Sequence, residues 1–366
     1  MDNFSQSMSR LHGTMGWTAI AVLSTIGIVV IPVLNLAVPD GSFFHVSDFS
    51  VQLLGKYLCF AILAVGLSLI WGFTGILSLG QAVFFAFGAY CMGIHLLHNV
   101  VAGGTAVSDL TVLSMMDMRE MPWFWFGFGS FAYTVLMVFA VPGLFAYLFG
   151  YLTFRSRVKG VYFSIITQAM TYALFLLFRQ NDVGLGGTNG LTGFKTLLGF
   201  PLEASATKVG LLIASVLALL LVYLVFRFIV TSKLGRVLTC IRDAEARAMF
   251  SGYNPLHYKL FAWVFSAMAC GLAGALFTPQ VGIINPDELT PANSIDVAIW
   301  TALGGRGNLS GAMLGAGVVN GAKSWFSGLL ENVWPILLGL IFVVIPIFLS
   351  KGLISLFRSK TAKETA

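Results

Sequence analysis

Long stretches with no charged side chain alternate with short polar intervals along the chain. No Asp, Glu, Lys or Arg occurs between Lys56 and Asp109, between Glu120 and Arg155, or between Lys259 and Asp287. A helix needs about 20 apolar residues to cross a hydrocarbon core about 30 Å thick. Each of these stretches therefore has room for one or two crossings. The apolar runs predict helices near 16–38, 51–72, 76–98, 123–152, 161–178, 208–230, 257–283, 294–304, 308–330 and 333–350. The fold class is all-α, a polytopic membrane protein of about eight to ten transmembrane helices by the length rule. The run 294–304 is too short to cross alone. It pairs with 308–330 as a re-entrant unit, tolerated where protein covers the exposed backbone.

Composition removes the water-soluble enzyme classes, because 57% of the residues are hydrophobic, 10% are charged and the mean hydropathy is +0.88. The 366 residues read as one transmembrane domain with a cytoplasmic loop at 231–256 and a cytoplasmic tail at 351–366. Orientation follows from Lys and Arg in short loops, which stay inside. Arg155, Arg157 and Lys159 mark one inside loop, Lys233 to Lys259 a second, and Lys351, Arg358, Lys360 and Lys363 the tail. The loops at 39–50 and 99–121 are acidic and belong outside. The net charge of +6 is thus a topology signal, and no nucleic-acid partner is implied. The uncharged run after Arg10 reads as a first span rather than a removed signal peptide.

Candidate chemistry is sparse. Cys59, Cys91, Cys240 and Cys270 form no CxxC, and His95 with His98 are two ligands at most, so neither a disulfide framework nor a metal site is implied. The glycine-rich stretch Gly184 to Gly193 lacks the GK[ST] ending of a phosphate cradle and falls outside. Asp296 and Lys323 share the last hydrophobic region. Counted from the Gly304–Gly307 turn they sit at different depths, which predicts a weak pairing.

The charged stretch Lys233 to Arg247 stands apart. Val237, Ile241, Ala244 and Ala248 recur at helical spacing, while Arg236, Arg242, Asp243, Glu245 and Arg247 fill the other faces and Gly252 closes the segment. An amphipathic helix on the cytoplasmic side either lies on lipid or docks in a partner's groove. Asp243 and Glu245 would be repelled by anionic headgroups, which favours docking. A second feature is repetition. Gly72 to Ser78 and Gly304 to Ser310 share the pattern GxxGxLS, each joining two apolar segments. Small-residue seams at Gly271 and Ala275, and at Gly311 and Gly315, predict close helix packing.

Several stretches together resemble one family: Gly66 to Gly80 (GLSLIWGFTGILSLG), Lys159 to Gln168, Gly186 to Leu191, Thr278 to Pro286, and Trp300 to Asn320. The chain is similar to the permease subunits of the branched-chain amino acid class of ABC importers, and most closely to the second permease of the urea importer. The resemblance implies a multi-pass permease of the bacterial inner membrane. Its partners would be a second homologous permease, two cytoplasmic ABC ATPases, an external substrate-binding protein and membrane lipid. The chain itself would carry no cofactor, ATP and Mg belonging to the ATPases. The loop helix would be the coupling helix. Glu245-Ala-Arg-Ala departs from the family's Glu-Ala-Ala, and Gly252 lies one position late.

Urea is planar and neutral, so its path calls for amide and hydroxyl groups with aromatic walls. Gln81, Thr167, Gln168 and Asn320, with Phe84 and Trp300, are the candidates; the simpler reading of each polar residue is an interhelical hydrogen bond. A branched-chain amino acid is the alternative cargo and would call for opposite charges or helix ends. A passive small-solute channel is a further alternative, with no need of a docking helix. An intramembrane enzyme would need a nucleophile with a base, or a metal cluster, and the sequence displays neither.

Overall fold

The computed structural model describes residues 14–329 apart from 40, 41, 43, 105–120 and 159, together with 339, 352 and 353. The predicted span at 333–350 and the tail at 351–366 lie outside the described residues, apart from isolated positions, as do Lys159 and the acidic residues Asp40, Asp109, Asp117 and Glu120. Among the described residues six helices are long and apolar enough to cross a membrane. They are α3 (Asp48–Thr74), α4 (Gln81–Ala102), α5 (Phe131–Arg155), α6 (Val161–Phe178), α7 (Ser205–Thr231) and α9 (Pro255–Val281). Before them a first apolar helical stretch runs as α1 (Thr14–Thr25), a π-helical turn at Ile26–Val30 and α2 (Ile31–Leu36).

Capping residues set the boundaries. Ser47 accepts the amide of Ser50 to start α3, which stops at Gly75 in the left-handed region (φ 75°). Asn254 accepts from Leu256 and Pro255 occupies the first turn of α9, which ends at left-handed Gly282. The prediction of a helix from residue 76 fails at its start, because 75–80 is non-helical and α4 begins at Gln81. This break is possible in a membrane because α6 satisfies its backbone. Ser164 donates to Leu77 O (2.7 Å), Thr171 donates to Leu79 O (3.2 Å) and Thr167 accepts the Leu79 amide (3.1 Å).

The core is built on α9. Gly274 lies against the Phe85 and Ala89 backbone, and Gly88 against Gly271, so any side chain at Gly88 or Gly274 would strike main chain. Pro142 of α5 packs on the other side of Gly271. After α9, the strand pair β1 (Leu191–Thr192) and β4 (Ile283–Ile284) ties two outer loops together, while β2 (Thr196–Leu197) and β3 (Phe200–Pro201) form a small hairpin. Gly190, at φ 69°, takes the backbone so close to Ile284 that no Cβ would fit there. The glycine-rich stretch 184–193 is therefore an outer packing loop.

Two shorter helices complete the bundle. The 15-residue α10 (Pro291–Gly305) turns at 306–308 into α11 (Leu309–Leu329). Asn308 caps α11 by accepting from Ser310 and Gly311. Gly311 meets Gly304, and Gly315 meets Trp300 and Gly304, as the small-residue seam predicts.

Candidate translocation cavity and coupling loop

The outer ends of α3, α10 and α11 surround a cavity of about 340 Å³. Each helix contributes one face at i, i+3, i+4, i+7 spacing. From α3 these are Leu53, Lys56, Tyr57 and Phe60; from α10, Asn293, Asp296, Val297 and Trp300; from α11, Asn320, Lys323, Ser324 and Ser327. Glu288, in the short turn Pro286–Leu289 that precedes α10, completes the rim. Two lysines and two carboxylates thus meet over an aromatic floor where Phe60 and Trp300 lie 5.0 Å apart. Lys56 Nζ sits 5.6 Å from the ring centres of both Phe60 and Phe277. Tyr57 donates to Ser324 across the α3–α11 seam. Half-burial of Glu288 pushes its carboxyl above the usual carboxylate range, with Lys56 opposing.

Asp296 and Lys323, expected to pair weakly, do meet, 3.4 Å apart and partly open to water. They differ in depth by about five residues, roughly 7 Å. Helical side chains lean toward the N-terminus of their helix, and α10 and α11 are antiparallel, so the two lean toward each other. The long lysine stem spans what is left.

Of the predicted path residues, the cavity brings together Trp300 and Asn320 and leaves the others elsewhere. Gln81, Phe84 and Thr167 are completely buried. The Gln81 carbonyl accepts the Cys270 thiol (3.0 Å), Phe84 stands edge-on to Trp263 (5.2 Å), and Thr167 serves the 75–80 break. Gln168 is half-buried on α6 and does not line this cavity. The sequence reading passed over Lys56 and Glu288; their signal was a charge one helical turn inside a predicted span and an acid at its neighbour's mouth.

At the opposite end lies α8 (Lys233–Phe250), capped by Ser232. It is bent where a single helix was predicted, because Ala244 leaves helical geometry (φ −155°, ψ 71°). Leu238, Ile241 and Ala248 are buried, with Val237 and Ala244 beside them, so the apolar stripe packs onto the bundle. Arg242 Nη1 donates to Gly72 O (2.6 Å) at the end of α3 while its Nε holds Asp243 (2.7 Å). A cation on the last carbonyls of a helix is favoured by the helix dipole. Glu245 pairs with Lys259 of α9 at 2.7 Å. Arg236 and Arg247 remain exposed. Gly252 (φ 85°) ends the loop helix, and its amide and that of Tyr253 bond back to Met249 and Ala248. Beyond the predicted charges, Phe250, the last residue of α8, is 94% exposed.

The two GxxGxLS segments meet at this end. Gly75 and Gly307, the second glycines of each copy, both take positive φ (75° and 83°). Gly72 lies directly on the Gly307 backbone, with no room for a Cβ, and Gly75 lies under the Arg242 stem.

A family model described as the branched-chain amino acid transport system permease component matches residues 49–346. The chain belongs to that family. It is similar to the high-affinity branched-chain amino acid transport system permease protein LivM of Salmonella typhimurium, 28% identical over 75% of this chain and 62% of the relative. LivM of Escherichia coli is 28% identical over 79% of this chain and 65% of its own length. BraD of Pseudomonas aeruginosa is 25% identical over 73% of this chain and 81% of its own. The chain thus spans somewhat under two thirds of the two LivM relatives. No solved structure matches it at the same stringency. Family membership makes the chain a multi-pass inner-membrane permease component rather than an enzyme.

Proposed function

We propose that the chain is one of two related permeases of an ATP-driven importer, served by two cytoplasmic ATPases and an external binding protein. The observation that carries this reading is the Arg242–Gly72 bond, 2.6 Å long, which ties the cytoplasmic loop to the point where the two repeat arms touch. A push on α8 from a soluble partner reaches α3 through that bond and α10–α11 through the Gly72–Gly307 contact. Arg236, Arg247 and Phe250 face outward for the ATPase, while Arg242 and Glu245 hold the loop to the bundle; Asp243 orients Arg242.

The best-supported cargo is an amino acid with an apolar side chain. The named relatives belong to branched-chain amino acid systems. A zwitterion also finds complementary groups in the outer cavity: Lys56 for its carboxylate, Glu288 for its ammonium and Phe60 with Trp300 for the side chain. Urea is the second reading, favoured by Asn293, Asn320 and the Tyr57–Ser324 pair, which give the same cavity neutral amide and hydroxyl groups.

The chain should be purified with whatever accompanies it, reconstituted in vesicles with the co-purified binding protein, and tested for ATP-dependent uptake of labelled leucine and urea. Saturable leucine uptake supports the first reading and urea uptake replaces it with the second. Flux that needs no ATP would overturn both in favour of a channel.

A further inference from the structure

A second cavity, of about 410 Å³, lies at the outer ends of α4, α5 and α6. Phe87, Tyr90 and Ile94 line it from one face of α4, and Tyr133, Met137 and Val141 from α5. The aromatic segment 122–130 covers one side, pinned by contacts of His95 Nδ1 with Phe128 O (2.6 Å) and of His98 Nε2 with Trp125 O (2.9 Å). Among the described residues, no charged side chain lines the walls.

One polar group there is out of balance. Tyr90 is 3% exposed, and its buried hydroxyl has no hydrogen-bond partner among the described residues. Such a group is costly to leave unmade, so a ligand that brings an acceptor is favoured. Its depth identifies the ligand. The Tyr90 ring stands edge-on to Phe178, the last residue of α6, at 5.0 Å, which puts it near the outer boundary of the spans. Below it the wall from Tyr133 to Val141 descends eight residues of helix, about 12 Å, into the hydrocarbon. Exposed Trp123 and Phe126 stand at the rim, where aromatic side chains mark the membrane interface.

We propose that this cavity is a lipid-binding site. A phospholipid of the outward-facing leaflet inserts one acyl chain between α4 and α5, and its ester carbonyl accepts the Tyr90 hydroxyl. The rings supply apolar contact along the chain, and the histidine-pinned 122–130 segment holds the mouth.

The test uses the complex as purified, in nanodiscs of phosphatidylethanolamine and phosphatidylglycerol doped with a diazirine-bearing phosphatidylethanolamine, irradiated and mapped by peptide mass spectrometry. Labelling of 87–94 and 133–141 should exceed that of the exposed α7 residues Leu217 and Leu221 several-fold. Tyr90→Phe should cut it about fivefold, the scale of one lost hydrogen bond, with α7 labelling unchanged. Met137→Trp, which fills the cavity, should also cut it and serves if the first variant folds poorly. Labelling no higher than on α7, as when a neighbouring protein fills the cavity, overturns the proposal. So does labelling indifferent to both substitutions.

Discussion

The two ends of the bundle solve opposite problems. The outer cavity is walled by side chains, Lys56, Glu288, Asp296 and Lys323 standing around open space, with one ion pair, Asp296–Lys323, closed across it among the described residues. The inner end has almost no side chain between its packed elements. Gly72 meets Gly307 main chain to main chain, and one arginine reaches a carbonyl from the loop. The proposed roles fit this difference: a surface that recognises a solute is served by adaptable charges, and a joint that transmits force by rigid backbone. Close-packed contacts have discrete arrangements and pass a displacement on instead of absorbing it.

The contrast can be broken from its inner side most severely. Gly72→Val drives a branched side chain into the Gly307 backbone, so a loss of about 1–3 kcal/mol or more is expected, seen as a lower unfolding temperature in detergent, together with loss of uptake. Arg242→Ala should reduce ATP-driven uptake at least about tenfold while the subunits still co-purify, since it removes a charge-assisted bond worth about 1.5–3 kcal/mol. Unchanged uptake would remove the coupling role. Phe250→Asp should leave unfolding unaltered, because the ring touches almost nothing, and reduce recovery of the ATPases; full recovery would move the docking surface elsewhere.

On the outer side the effects are gentler and depend on pH. If the Glu288 carboxylate holds an ammonium, uptake should fall on acidification at pH values above those that titrate an exposed glutamate, because its pKa is raised. Glu288→Gln should flatten that profile for leucine and leave urea uptake untouched. The same raised pKa costs stability at neutral pH, since folding there must bury a charge. Glu288→Gln should therefore raise the neutral-pH unfolding temperature slightly, with the difference vanishing as the solution is acidified through that pKa. A double-mutant cycle on Asp296 and Lys323 should give the smallest number, about 0–1 kcal/mol, for a pair open to water.

Spans were the most legible part of the chain, because hydrocarbon thickness fixes their length. The run 161–178 is α6 to the residue, and 208–230 lies within α7. The break at 75–80 was hidden because Ile76, Leu77 and Leu79 are as apolar as any helix, and the hydroxyls that permit it lie far along the sequence on α6. Thr167 attracted notice as a polar group in a span, and the bond that explains it joins positions 88 apart. The kink at Ala244 had no Gly or Pro to announce it. Asp296 and Lys323 were legible singly, and what joined them was the antiparallel lean of α10 and α11.

The hydroxyl face of α6 also bears on how the protein is made. Segment 75–80 carries amides and carbonyls that lipid cannot satisfy, and their partners Ser164, Thr167 and Thr171 leave the ribosome some ninety residues later. Until then the α3–α4 hairpin has no comfortable resting place in the bilayer. Packing of the α3–α4 hairpin in its final form therefore cannot be completed before the fourth long span, α6, is made.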